Sequence, residues 1–282
     1  MKQHNKRSHS HRIAANKRAF STVISTIILT SVLLIILVVA SFVSLNILSN
    51  QMASTEFDIA KSNMLLLDST IQDVALRPGA GGYVQFNERE GGIGIYKTTD
   101  NLTISATNGS IINSANYTNL VQLVYSGGSL ASAAVDQSEY NSLRGNQSTN
   151  VTLTQSLGFL RLEQFNGAKI KLDYDRVRIV SNGIIDSQGT NLIQITFIHL
   201  INGTTSGSGT VNVQVQNIQT NTTIWQFSSP AQISISIQPT TTTTPTAPQT
   251  QPIPGTYRDP TPADATKTVV IFSEIQVRVS IT

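Results

Sequence analysis

From Phe20 to Leu76 the chain contains neither glycine nor proline, and from Phe20 to Thr55 it carries no charged residue. So long a run without breakers predicts one continuous helix, apolar where it begins and amphipathic where it ends. At 1.5 Å per residue such a helix is on the order of 85 Å long, and a bilayer core takes up only about 30 Å of it. The remainder needs another partner.

Ser21 to Leu48 runs well past the roughly 18 apolar residues that mark a spanning helix. Lys2, Lys6, Arg7, Arg12, Lys17 and Arg18 precede it with no acidic residue among them. The positive-inside rule therefore makes residues 1–19 a basic cytoplasmic leader and puts everything after about Leu48 outside the cell membrane. A secretory signal would have a shorter apolar region, about 7 to 15 residues, ending at a small-residue cleavage site. The formal charge of +3 belongs to the leader: without its six basic residues, 13 Lys and Arg stand against 16 Asp and Glu. The outer part has no cationic stripe for phosphate contacts, which excludes nucleic acid as a partner.

In the second half of the helix Phe57, Ala60, Met64, Leu67, Ile71 and Val74 recur at steps of three and four. Asp58, Lys61, Asp68 and Asp73 lie off this stripe, which needs a partner surface. A parallel coiled-coil dimer competes for it, though fewer than three heptads are present. Arg77 to Gly82, with Pro78 and three glycines, ends the helix, giving a helical span of 20–77.

From Tyr83 onward short alternating runs are separated by Gly, Asn and Ser, the pattern of a β-sandwich. Val211, Val213 and Val215 alternate with polar residues, as do Ile233, Ile235 and Ile237. In the last strand Val269, Ile271, Ile275, Val277, Val279 and Ile281 share one face, with Glu274, Gln276 and Arg278 on the other. Ile170, Leu172 and Tyr174 alternate too, but Val177 and Ile179 have the opposite parity, which a bulge near Asp175 or Arg176 explains. A Thr/Pro-rich stretch at 239–267 cannot bury a core. It reads as an extended, solvated insertion in a hairpin, of a composition that suits O-glycosylation. The fold class expected is α+β: a long membrane and stem helix, then a mainly antiparallel β-sandwich head over 78–282. There is no cysteine, so disulfides, thiolate metal sites and thiol nucleophiles are excluded.

No catalytic, metal or cofactor constellation stands out. His4, His9 and His11 sit in the leader, and His199 follows Ile193, Ile195 and Phe197 on one strand face, as a core-edge histidine. Asp173 and Asp175 share a face with Lys169 and Lys171 and read as a solvated charge ladder. Glu88 and Glu90 flank Arg89 in a loop whose oxygen ligands do not follow a calcium-loop spacing. Asn-X-Ser/Thr sequons begin at Asn101, Asn108, Asn116, Asn146, Asn150, Asn202 and Asn221, all on the outer side, as N-glycosylation by an oligosaccharyltransferase requires.

Lys17, Arg18, Ala19 and Phe20 place a basic pair and a small residue directly ahead of the apolar helix, with Ser21 second in it. This resembles the class III signal of archaeal type IV pilins and pilin-like proteins. The resemblance covers about the first 80 residues. It departs in having Ala19 where Gly is commonest, and Ile24 where bacterial pilins carry Glu. It implies cutting by a prepilin peptidase between Ala19 and Phe20, then extraction from membrane lipid by a pilus assembly ATPase and its membrane platform protein. It further implies self-assembly into a cell-surface filament through the apolar helix, with the stripe against the chain's own head and the heads exposed for adhesion or cell contact. Ser21, Thr22, Ser25, Thr26 and Thr30 crowd the start of that helix, and Thr22, Thr26 and Thr30 share a face that allows close helix approach. Hydroxyls bonded back to their own helix are the competing reading. The alternative function is an uncleaved single-pass envelope protein whose head binds a partner and does not polymerise. An anchored hydrolase using scattered carboxylates is the weakest reading.

Overall fold

A computed structural model describes residues 10–98, 100–136, 139–239, 255–257 and 265–282. Helix α1 (Ser10–Ala75) begins ten residues ahead of the expected Phe20, because the stretch from Ser10 to Ala19 also lacks Gly and Pro. Residues 1–9 of the leader lie outside the described residues. The chain divides into two compact units, Met1–Met52 and Ala53–Thr282, so α1 from Ala53 onward belongs with the strands.

The strands follow in order as β1 (Gly81–Glu88), β2 (Gly92–Lys97), β3 (Asp100–Thr107), β4 (Ile112–Tyr117) and β5 (Val121–Ser126). Then come β6 (Tyr140–Arg144), β7 (Asn150–Val151), β8 (Phe159–Glu163), β9 (Lys169–Asp173) and β10 (Val177–Ile184). The last five are β11 (Thr190–Thr205), β12 (Gly209–Phe227), β13 (Gln232–Pro239), β14 (Gly255–Tyr257) and β15 (Lys267–Ile281). They form a six-stranded sheet β1-β12-β15-β11-β10-β7, a four-stranded sheet β14-β13-β3-β4 and a five-stranded sheet β2-β5-β9-β8-β6. Pairing is antiparallel except for β11 with β15 and β10 with β7. The class is α+β, with a mainly antiparallel head.

The six-stranded sheet serves two cores, one on each face. Along β15, Val270 and Phe272 are buried with Ile193, Ile195, Phe197, Trp225 and residues of β3 and β13. Ile275, Val277, Val279 and Ile281 are buried instead with α1, β1 and the five-stranded sheet. The two sets differ in parity, and the register along this part of β15 has no extra residue, so they point to opposite faces. The expected single face for Val269 through Ile281 therefore needs correction: Val269 and Ile271 are only partly buried, and their even-numbered neighbours are in the core.

Two local expectations also give way. No bulge lies at Asp175 or Arg176; β9 ends at Asp173 and β10 begins at Val177 in a different sheet, so parity changes because the chain changes layer. The Thr/Pro-rich stretch is not an insertion in a hairpin, since β13 and β15 sit in different sheets. Within it, Gly255–Tyr257 forms β14 against Ile233–Ile235. The rest of it, 240–254 and 258–264, lies outside the described residues.

Candidate functional site

Between Val23 and Leu48 the Val, Ile and Leu side chains of α1 are exposed, and the segment is long and apolar enough to cross a membrane. Among the described residues nothing apolar covers this surface, and an exposed apolar surface so large marks a place for lipid or another molecule. Thr26 Oγ1 donates to Val23 O (2.8 Å) and Thr22 O (3.2 Å), and Thr30 Oγ1 to Thr26 O (2.9 Å) and Ile27 O (3.0 Å). The hydroxyls of Thr26 and Thr30 thus bond back to their own helix. Ser25 is exposed beside them. Lys17, Arg18, Ala19 and Phe20 fall within the helical span, and their side chains, with that of Ser21, lie outside the described residues.

The second half of α1 is in a different state. Phe57, Ala60, Met64, Leu67, Ile71 and Val74 are all buried, in one core with Val84, Phe86, Leu123, Tyr125 and the odd-numbered face of β12. Each fully buried Phe, Met, Leu or Ile side chain is worth roughly 1.5–3 kcal/mol. Glycine lets the backbone come close: a β-carbon at Gly82 would lie 2.7 Å from Thr70 Cγ2, and one at Gly127 would lie 2.9 Å from Phe57 Cδ2.

Polar contacts fix the helix at both ends of the stripe. Glu56 Oε1 accepts from the backbone N–H of Arg89 (3.2 Å), Glu90 (3.0 Å) and Gly91 (3.2 Å), and from Tyr125 Oη (3.0 Å). The turn between β1 and β2 therefore presents donors to a carboxylate. Burial, and then the charge of Glu56, push the Tyr125 hydroxyl pKa up, so it stays a donor. At the other end Asn217 Nδ2 donates to Ala75 O (3.1 Å), and its N–H to Ala80 O (2.9 Å). Asn217 stands at a bulge in β12 and satisfies a carbonyl that the helix end would otherwise leave without a partner.

Asp68 corrects the reading that placed it off the stripe: it is fully buried. Tyr174 Oη donates to Oδ1 (2.5 Å), while Gln72 Nε2 (2.9 Å) and Ser156 Oγ (3.1 Å) donate to Oδ2. Arg144 Nε lies 3.1 Å from Oδ2. Burial raises the carboxyl pKa, and the hydrogen bond from Tyr174 and the charge of Arg144 only partly oppose it.

The charge ladder is not solvated. On the face of β8 and β9 that points away from Leu160 and Leu172, Arg161 Nε donates to Glu163 Oε1 (2.7 Å), and Lys171 Nζ lies 2.5 Å from Glu163 Oε2. Asp173 bridges Arg161 and Arg176, and Arg176 also pairs with Asp175. Arg161, Glu163, Asp173, Asp175 and Arg176 are all buried, with Arg176 over the Phe159 ring at 4.5 Å from its centroid. Although burial pushes Asp173 up, Arg176 and Arg161 hold it well below the usual carboxylate range. Asp175 goes the other way, raised by burial and by the neighbouring Asp173 charge. Three cations meet three carboxylates here, an arrangement in which losing one partner typically costs 3–5 kcal/mol.

His199 sits at the rim of the second core, its Nδ1 2.9 Å from Glu274 Oε1 and its ring edge-on to Tyr117. Among the described residues no group of three or more His, Asp or Glu is placed to hold a metal ion. The sequons separate by environment. Asn116 and Asn202 are exposed, whereas Asn101, Asn108, Asn146, Asn150 and Asn221 are half-buried. The Asn108 amide nitrogen is bound to Ser229 Oγ (3.1 Å), and Asn150 Oδ1 is buried.

No protein-family model, no curated protein and no solved structure matches this chain. Of the residues that hold the helix to the head, sequence reasoning missed three, and two of those, Glu56 and Asn217, have no clear signal in the sequence. Glu56 is merely the first charge after the uncharged run. Asn217 is one of many polar residues in β12. Asp68, four residues after Met64 and three before Ile71, sits at helical spacing with the stripe, which was the clue to its burial.

Proposed function

We propose that this chain is a pilin-like structural subunit of an archaeal cell-surface filament, in which the apolar half of α1 exchanges membrane lipid for the helices of neighbouring copies. A prepilin peptidase cuts between Ala19 and Phe20, and an assembly ATPase with its platform protein extracts the subunit. The head, N-glycosylated at exposed sequons, meets other cells or surfaces. One observation carries this reading: a single unbroken helix has two burial regimes. Its most apolar stretch is left unburied by the described residues, while the stripe from Phe57 to Val74 is sealed into the head. A subunit that holds a head on one half of a helix and leaves the other half for partners is built for helix-mediated assembly.

The second reading, an uncleaved single-pass envelope anchor, is supported by the continuity of α1 from Ser10 across Ala19 and Phe20, which leaves the backbone at that junction within a helix. The N-terminal sequence and intact mass of protein recovered from the source cell surface decide between them. A chain starting at Phe20, found in filaments, supports the pilin-like reading; one starting near Met1, extracted as a monomer, overturns it.

A further inference from the structure

β11 and β12 are joined by only Ser206, Gly207 and Ser208, a connection of the length that ordinarily closes a hairpin. They are not neighbours in the sheet. β15 lies between them, parallel to β11 from Thr190↔Lys267 to Thr205↔Ile281 and antiparallel to β12 from Val213↔Ile281 to Phe227↔Thr268. The hairpin is an open slot, and β15 fills it along its whole length. It also completes both cores, through Val270 and Phe272 on one face and Ile275, Val277, Val279 and Ile281 on the other. Between β14 and β15 stand nine residues, 258–266, including two prolines. Extended, they reach about 30 Å.

We propose that β15 is exchanged between copies of this chain, the strand of one head filling the β11–β12 slot of a second. Every hydrogen bond and apolar contact of β15 is kept in the exchanged form, so the balance is set by linker reach and local concentration rather than by new contacts. Copies held side by side by their apolar helices, in a membrane or a filament, provide that concentration. The partner is a second copy because the slot reads the alternating pattern of β15 on both faces, and a generic peptide edge would not match it. Exchange joins heads whether or not the leader is cut, so it stands or falls separately from the filament reading.

The chain has no cysteine, which makes the test direct. Gln216 and Arg278 are exposed cross-strand partners on β12 and β15. Full-length Gln216→Cys and Arg278→Cys variants, carrying different mass tags, are co-produced in one membrane and oxidised. Exchange predicts covalent heterodimers bearing both tags. It also predicts that Gln226→Cys with Arg278→Cys gives at least tenfold fewer, because Gln226 pairs with Val269 instead. Equal yields from the two combinations, or no heterodimer while the double variant Gln216→Cys/Arg278→Cys closes within single chains, overturn the exchange. Filaments with only intramolecular disulfides would leave the pilin-like reading intact, and heterodimers without filaments would do the reverse.

Discussion

Gly158 faces Asp68 so closely that a β-carbon at Gly158 would overlap the carboxylate oxygen Oδ1. The glycine is there for space, since its backbone is not in the left-handed region. Behind it the N–H of Gly158 donates to Ser156 Oγ (3.1 Å), which in turn donates to Asp68.

Gly158→Ala should therefore destabilise the head by about 2 kcal/mol, within the usual range for overpacking. Asp68→Ala removes the obstructing carboxylate, so the double variant should be less destabilised than the sum of the two by at least ~1 kcal/mol. Denaturant unfolding of the detergent-solubilised chain, followed through Trp225, measures the cycle. Additive costs would show that the overlap is relieved elsewhere.

Asp68 sets a pH dependence. Its folded pKa lies above that of an unfolded aspartate, near 3.9, so the folded head takes up this proton more readily than the unfolded chain. Its contribution is fully present below about pH 4 and is lost as pH rises through the raised value. Asp175 acts in the same sense, whereas depressed Asp173 contributes above about pH 4 and loses that contribution in stronger acid. Asp68→Asn, uncharged at every pH, should flatten the gain in melting temperature between pH 7 and pH 4.5 relative to the parent. An unchanged pH profile would show that Asp68 does not set it.

Glu56→Ala deprives three backbone amides and the Tyr125 hydroxyl of one acceptor. A cost of roughly 1–3 kcal/mol follows from leaving such donors unsatisfied. Amide exchange at Glu90 and Gly91 should accelerate at least tenfold, while the Asp68 end of the stripe changes little. Glu56→Gln, which keeps one acceptor oxygen, should fall between.

On the proposed N-glycosylation, the occupied sequons should be Asn116 and Asn202, whose side chains are exposed. Asn108, whose amide is held by Ser229, and Asn150, whose amide oxygen is buried, should be unmodified in mature protein. Glycopeptide mass spectrometry of material from the cell surface reads each site. Full occupancy at Asn150 would mean that glycans are added before β7 pairs with β10.

The helix and its stripe were legible because missing breakers and 3.6-residue periodicity are local signals. Strands such as Val211–Val215 were legible for the same reason, by alternation. Alternation does not say which face a second layer will cover. Lys169 to Asp175 looked like a solvated ladder because nothing local announces that Phe159, Arg161 and Arg176 close over it. In β15 the run Val269, Val270, Ile271 and Phe272 is apolar at both parities, so the long odd-numbered series hid the even pair that enters the second core. Glu56 and Asn217 act on backbone groups far along the chain, which leaves no trace in a sequence pattern.

Because β15 follows the other described strands in the sequence, the head cannot finish folding until Lys267–Ile281 has been made. Until Lys267–Ile281 arrives, the slot between β11 and β12 stands open and both cores lack a wall. Pairings this distant along the chain also form slowly. The interval before closure is when the chain is most exposed to aggregation and proteolysis. A cell making this protein has to shelter the unfinished head during that interval, and a substitution in β15 such as Val277→Asp should reduce the amount of folded protein that accumulates far more than it alters the fold of what remains.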